Sequence, residues 1–403
     1  MIPRFKPHLN AEELKAAFAP QEDAVQLFEA QFAKTFESHH AIAFPYGRSA
    51  LWTFFKAMGL KKAEIVIPAY TCSVVAHAVV LSGNIPRFVD ISLRDYNMDL
   101  DLLTEVINER TRAIVPTHLF GYPLDVDRLA EIVGKAEKQY GHKIWVIQDC
   151  AHAFGARWKG RLVCNEGDLA IFGLNISKLI TSIFGGMLTT VSDELAGPIR
   201  AWRDQYLRKP PSSKAWRRRF YLTAVYAAFN ERNYGVINWL AGNTSLLDSL
   251  TKAYHLDEKI HFPPDHDEEM TAPEASVGLI QLKKYRTIVQ ERCDNAHYYF
   301  QALQGIPGLE LPPLVEGATY SHFTIRVPDR ANLLKYFLSR GIELGELIQY
   351  SLPHMKMYRD YISDPSKYPN SLRCSESAVN LPVYRRLPSS SLAELVHVVG
   401  PKH

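Results

Sequence analysis

The sequence predicts an α/β protein in two parts: a large domain on a mostly parallel sheet and a smaller C-terminal α/β domain. Three observations predict it. Between about residues 40 and 190, short apolar runs rich in Val and Ile alternate with amphipathic segments, the pattern of buried parallel strands joined by helices. Residues 271–304 then read as one long helix. From about residue 305 strand-like and helix-like runs alternate again on a smaller scale. The expected division is a large domain over 1–285 and a small one over 286–403, with the boundary in or near the long helix.

The elements follow in order. HAIAFPY (40–46) reads as a strand and SALWTFFKAMGL as the helix after it. EIVIPAY (64–70) is a second strand, followed by the helical TCSVVAHAVVLSG. IPRFVDI (85–91), RAIVPTHLF (112–120) and KIWVIQD (143–149) continue the series, with DVDRLAEIVGKAEKQYG as an amphipathic helix before the last of them. GMLTTV is a further strand. The long helix announces its start: Thr271 and Glu274 form a capping-box pattern, and Pro273 sits in the first turn. Beyond it, SHFTIRV and AVNLPVY read as strands and RANLLKYFLSRG as a helix.

Bulk properties exclude several classes. A net charge of +3 on 403 residues is too small to point to nucleic acid. No Cys/His cluster has metal-ligand spacing, so no metal is expected. Five scattered cysteines without a CxxC pair predict free thiols in a reducing compartment. No signal peptide and no apolar run of membrane-spanning length are seen, so the expected location is cytoplasmic.

The chemistry concentrates in one constellation. Asp149 closes the strand KIWVIQD, where open α/β sheets collect their ligands. Lys178 follows 29 residues later among Leu, Ile and Phe, a setting that desolvates an amine and makes it a usable nucleophile. Gly185 and Gly186 come next and allow a tight turn and close backbone approach. Gly47, Arg48 and Ser49 lie between a strand and a helix, where backbone N–H groups, a hydroxyl and a guanidinium suit a phosphate. Taken singly, Lys178 is a snorkelling surface lysine, Asp149 a strand-end cap and Gly47 a turn glycine. Together they fit pyridoxal 5'-phosphate (PLP). A lysine forms the Schiff base and shuttles a proton, and a carboxylate keeps the ring nitrogen protonated so that the ring accepts electrons.

With these residues in place, the chain resembles the DegT/DnrJ/EryC1/StrS aminotransferases, PLP-dependent transferases of fold type I. The resemblance runs from about residue 35 to 200 and from 270 to the end. It is carried by IPAYTCSVVAHAVVLSGNIPRFVDISLRDYNMDL, RTRAIVPTHLFGYPLDVDRL, VIQDCAHAFGARWKGR, ISKLITSIFGGMLTT, MTAPEASVGLIQLKKYR and SAVNLPVY. It implies that Lys178 is the Schiff-base lysine and Asp149 the partner of the pyridine nitrogen. It places His152 near the ring hydroxyl and Gly47, Arg48 and Ser49 around the phosphate. Cys72 falls where the family often has an aromatic that stacks on the ring, and its other reading is a small buried apolar residue. His118 lies in a strand-end loop, with substrate contact and structural hydrogen bonding equally open.

Two departures stand out. The family usually has Ser five residues before the lysine, binding the phosphate; here it is Gly173, and Asn175 or Ser177 are the candidate substitutes. The family's Asn and Arg before the long helix are missing from the acidic PPDHDEEMTAPEAS. The phosphate is therefore expected to be held differently, through Arg48.

Residues 200–265 break the pattern as an elaboration rich in Arg, aromatics and Pro. Within 202–240, Arg217, Arg218 and Arg219 precede the apolar run FYLTAVYAAF, with Trp216, Tyr221, Tyr226 and Trp239 nearby. Such a stretch fits an anionic membrane surface or a lipid-linked substrate, or a helix packed on a neighbouring subunit, the reading slightly favoured. The resemblance implies a homodimer that moves an amine, from glutamate, to a nucleotide- or lipid-linked keto-sugar or a related carbonyl compound. The alternatives are another PLP-dependent reaction and a non-catalytic regulatory or binding protein on the same fold. Related dehydratases often have His in place of the lysine, so Lys178 argues against that reaction.

Overall fold

A computed structural model describes residues 1–230, 233–236 and 258–399. Residues 231–232 and 237–257 of the inserted stretch, Trp239 among them, lie outside the described residues.

The Val- and Ile-rich runs form one seven-stranded sheet. In chain order its strands are β1 (His40–Phe44), β2 (Glu64–Pro68), β3 (Ile85–Val89), β4 (Thr111–Ile114), β5 (Trp145–Asp149), β8 (Leu169–Gly173) and β9 (Gly186–Thr190). A small hairpin, β6 (Arg157–Trp158) and β7 (Arg161–Leu162), lies between the fifth and sixth of them. Across the sheet the order is β1-β9-β8-β5-β4-β2-β3. Strand β9 runs antiparallel to both its neighbours, and the remaining pairs are parallel. Every parallel strand therefore ends at the same edge, and β9 begins there.

Nearly every residue of these strands is buried, because helices cover both faces. Helices α3 (Gly47–Ala57), α4 (Ser73–Leu81) and α7 (Asp193–Tyr206) pack Phe54, Val79 and Ile199 over Ile67, Ile147 and Leu188. On the other face α2 (Ala24–Thr35), preceded by α1 (Ala11–Phe18), sets Phe28 and Phe32 against Phe172 and Met187. Helices α5 (Leu100–Val106) and α6 (Val126–Tyr140) bury Leu103, Leu129 and Val133 near the β3 end.

The long helix is α9 (Ala272–Leu303), and its predicted capping box is formed: the Thr271 hydroxyl and Glu274 carboxylate each bond the other's backbone N–H. Its first half packs Ala275 and Leu282 on the large sheet's helices. Its second half packs Ala296, Tyr299 and Leu303 into a separate core with Phe323, Phe337 and Val379. That core surrounds a two-stranded sheet, β10 (Phe323–Arg326) with β11 (Ala378–Leu381), and helices α10 (Arg330–Ser339), α11 (Pro369–Ser377) and α12 (Ser389–Val399).

The inserted stretch supplies α8 (Ser212–Ala228). Its arginines do not form one exposed patch. Arg217 faces solvent, whereas Arg218 is buried between Glu274 and Asp265, at 2.7 Å from each. Arg219 donates to the Ala17 carbonyl and lies over Trp216. Of these three arginines, only Arg217 is fully exposed. Trp216 and Phe220 remain exposed on the outer face. None of the described helices is long and apolar enough to cross a membrane. The five cysteines are free thiols.

Candidate active site

The common edge of the parallel strands opens into a cleft enclosing ≈ 660 Å³. Lys178, Asp149, His152, Gly47, Arg48, Cys72 and Asn175 all line it. They come from the ends of β1, β2, β5 and β8, as expected for a site at the carboxyl edge of a parallel sheet.

Lys178 sits in the loop between β8 and β9, and that loop is tied to itself. The Asn175 side-chain oxygen accepts from the Ser177 N–H at 3.0 Å and hydroxyl at 2.7 Å, and the Lys178 N–H bonds the Asn175 carbonyl at 3.0 Å. Farther on, the Thr181 hydroxyl donates to the Leu174 carbonyl and accepts from the Ile183 N–H. Ile183 has φ 71, a costly conformation for a β-branched residue that the surrounding bonds hold in place. Burial lowers the Lys178 pKa, and the neighbouring Cys72 and Asp149 oppose the shift. Burial thus disfavours the charged form of the amine.

Asp149 is held from two sides. The Ala151 N–H donates to Oδ1 at 3.0 Å, and the Thr117 hydroxyl reaches Oδ2 at 3.4 Å. Thr117 in turn meets the Thr71 hydroxyl at 3.0 Å. Burial raises the carboxyl above its ordinary range against the Ala151 bond and the Lys178 charge. A cation brought to it would reverse that shift.

Helix α3 begins at Gly47, and its N-cap, Tyr46, makes no side-chain cap bond. The first N–H groups of a helix have no partner within it, and these two residues line the cleft. The glycines make the approach feasible. A Cβ on Gly47 would stand 3.0 Å from the Phe172 carbonyl oxygen, and one on Gly186 only 2.3 Å from the Gly47 nitrogen. Gly185, at φ 126, makes the turn.

His152 is buried. Its Nδ1 accepts the Phe120 N–H at 3.4 Å, which leaves the proton on Nε2, and burial holds its pKa well below the usual value. Its ring lies 5.3 Å from that of His322, a residue no sequence signal singled out. Cys72 caps the start of α4 and lines the cleft; next to it, the Tyr350 hydroxyl accepts the Ser73 N–H at 2.9 Å.

Three candidates do not line the cleft. His118 is fully buried: Nδ1 accepts the Leu124 N–H at 3.0 Å and Nε2 meets Gln148 Oε1 at 2.9 Å. Both nitrogens are used, which matches structural hydrogen bonding rather than substrate contact. The Ser49 hydroxyl is turned to the His266 carbonyl at 3.1 Å. Ser177 bonds Asn175 as described, so it shapes the lysine loop. The residues missed by sequence reasoning are Tyr46, Thr71, Thr117 and His322. Tyr46, Thr71 and Thr117 adjoin residues already singled out; His322 had no local pattern to mark it.

A sequence profile described as the DegT/DnrJ/EryC1/StrS aminotransferase family matches residues 10–400. The chain belongs to this family. Among its relatives is the spore coat polysaccharide biosynthesis protein SpsC of Bacillus subtilis, 24% identical over 96% of this chain and 92% of that one. A GDP-perosamine synthase of Vibrio cholerae is 23% identical over 99% and 98%. A putative sugar aminotransferase of Streptococcus pneumoniae, solved in its PMP form, superposes with a TM-score of 0.77 at 20% identity, covering 99% of this chain and 98% of that one.

The DegT/DnrJ/EryC1/StrS family is PLP-dependent, and the cleft fits that cofactor by its own donor set. It offers an amine, a buried carboxylate, helix-start N–H groups and a guanidinium. Several carboxylates of the acidic stretch before α9, atypical for the family, are paired with cations of the insert. Asp267 pairs with Arg208 at 2.9 Å, and Asp265 pairs with Arg218 and accepts the Tyr46 hydroxyl at 2.7 Å. Lys214, fully buried, donates to the carbonyls of Glu268 and Glu269 at 3.1 Å. Arg208, Lys214 and Arg218 of the insert thus meet the acidic segment.

Proposed function

We propose that this PLP-dependent aminotransferase transfers an amino group from glutamate to a keto-sugar carried on a nucleotide or a lipid. The observation that carries the reading is the convergence of Lys178, Asp149 and the start of α3 on one cleft. The names of the relatives, which concern polysaccharide and perosamine synthesis, support a sugar as acceptor.

Each residue has a part. When bound, the cofactor supplies an aldehyde and an electron-accepting ring. Asp149 holds positive charge at the ring nitrogen. The Gly47 and Arg48 N–H groups, with the Arg48 guanidinium, bind the phosphate. His152, with Nε2–H available, donates to the ring hydroxyl. Lys178, its pKa lowered by burial, takes and returns the proton at the substrate carbon in both half-reactions. Cys72 presents a thiol where family members often place an aromatic face.

Incubation with PLP should give a visible absorbance band that Lys178→Ala abolishes. Protein in the pyridoxamine form should regain that band when mixed with its acceptor from a panel of nucleotide keto-sugars, lipid-linked sugars and simple oxo acids. A spectrum free of cofactor after incubation with PLP ends the proposal.

A further inference from the structure

The insert helix α8 buries Lys214, Arg218, Leu222 and Val225, whose spacing places them on a single helical face. That face carries two kinds of contact. Leu222 and Val225 pack with Ile176 and Ile183, which lie on either side of Lys178 in its loop. Lys214 and Arg218 turn to the acidic segment, and Arg218 reaches beyond it to the start of α3.

The Arg218 guanidinium joins three elements of the cleft wall. Its Nη2 donates to Asp265 Oδ2 at 2.7 Å and to the Tyr46 hydroxyl at 3.3 Å, and its Nε donates to Glu274 Oε1 at 2.7 Å. Its carbon lies 4.1 Å from the centroid of the Phe184 ring, in the lysine loop just before Gly185. The Tyr46 hydroxyl in turn donates to Asp265 Oδ1 at 2.7 Å. A second tie holds the same turn of α3 to the same segment, the Ser49 hydroxyl donating to the His266 carbonyl at 3.1 Å.

Tyr46 is the residue through which these bonds bear on the site. It is the N-cap of α3, lines the cleft and is bridged to Gly185. Its hydroxyl therefore anchors the residue that directs the first N–H groups of α3. Burial holds the Tyr46 phenol above its ordinary pKa, so it keeps its proton for Asp265. Burial pushes the Asp265 carboxyl up too, but the Tyr46 bond and the Arg218 and Lys214 charges outweigh that and leave its pKa lowered. A neutral donor, an anion and a cation thus meet in one network. A buried ion pair adds little stability over apolar side chains that would fill the same space. What the arginine fork supplies is fixed geometry.

We propose that the insert braces the cofactor's phosphate site, with Arg218 and Asp265 as positioning residues that hold Tyr46 and, through it, the first turn of α3. The inference rests on the reading that the phosphate lies at that turn. A turn held in place before the ligand arrives removes an ordering cost from binding.

Absorbance titrations of the full chain freed of cofactor, with PLP and with pyridoxal, which lacks the phosphate, test it. In Tyr46→Phe the dissociation constant for PLP should rise roughly tenfold while that for pyridoxal stays unchanged. Arg218→Lys, which keeps the charge but loses the fork, should do the same. Thermal melting reports whether each variant folds, and Tyr46→Phe, which removes a single oxygen, serves if Arg218→Lys does not. An equal loss for both ligands, as general loosening would give, overturns the proposal, and so does unchanged PLP affinity in Tyr46→Phe. Arg48→Ala separates the two readings. A loss specific to PLP in Arg48→Ala without one in Tyr46→Phe would leave the phosphate at α3 and remove the brace. Wild-type protein that binds pyridoxal as tightly as PLP would remove the phosphate site itself.

Discussion

At the scale of single residues, the site shows how burial sets protonation. Lys178 is pushed toward the neutral amine and Asp149 toward the neutral acid by the same cause, loss of water. His118 carries the clearest consequence for stability. Burial lowers its pKa to about 4 from an ordinary 6.5, so between those values the unfolded chain binds more protons than the folded one. Its contribution is complete above pH 6.5 and is lost as pH falls toward 4. Denaturant midpoints should drop between pH 7 and pH 5, and His118→Gln should reduce that drop by roughly 2 kcal/mol.

Gly173 offers a second residue-scale prediction. A Cβ there would make ordinary contacts, 3.5 Å to Lys178 Cε and 3.6 Å to Ala151 Cβ. Gly173→Ser should therefore fold normally. If the serine regains the phosphate contact the family uses at this position, PLP should bind roughly tenfold more tightly in an absorbance titration. No gain in affinity would mean that Arg48 and the α3 start already satisfy the phosphate.

Among elements, two contacts decide how the cleft is assembled. The first is the junction of β9 with the start of α3. Gly186→Ala places a methyl 2.3 Å from the Gly47 nitrogen, against backbone that has no rotamer to give. It should cost roughly 3 kcal/mol or more and weaken PLP binding together with stability. The second is the insert. Arg218→Ala strands Glu274 and Asp265 in a buried setting and should destabilise by about 3–5 kcal/mol. The exposed Arg217→Ala should stay within about 0.5 kcal/mol. Chemical denaturation of both variants checks the contrast; equal effects would mean that the three arginines act as one surface patch after all.

For the whole molecule, the family resemblance leads to the expectation of a homodimer, with Trp216 and Phe220 exposed on α8. Light scattering should give about twice the 45.7 kDa of one chain. Recovery of a monomer at micromolar concentration would reject the homodimer.

Much of this was legible in the sequence. Strand positions follow from short Val- and Ile-rich runs, and Thr271 with Glu274 fixed the start of the long helix, because these are local signals of burial and capping. The order Gly47, Asp149, Lys178 pointed to residues that line one cleft for the same reason: each lies at or just beyond the end of an element that the local pattern reveals. What the chain alone could not display were pairings across long separations. It presented a basic insert and an acidic segment as two oddities, and only the folded molecule joins Arg218 to Asp265 and Glu274. His322 beside His152 and Thr117 bonded to Asp149 are likewise products of tertiary packing. Local sequence determines which segments become strands and helices. Which side chains then meet depends on how those segments bury their apolar faces together, and that is settled only when the sheet and the small domain close around them.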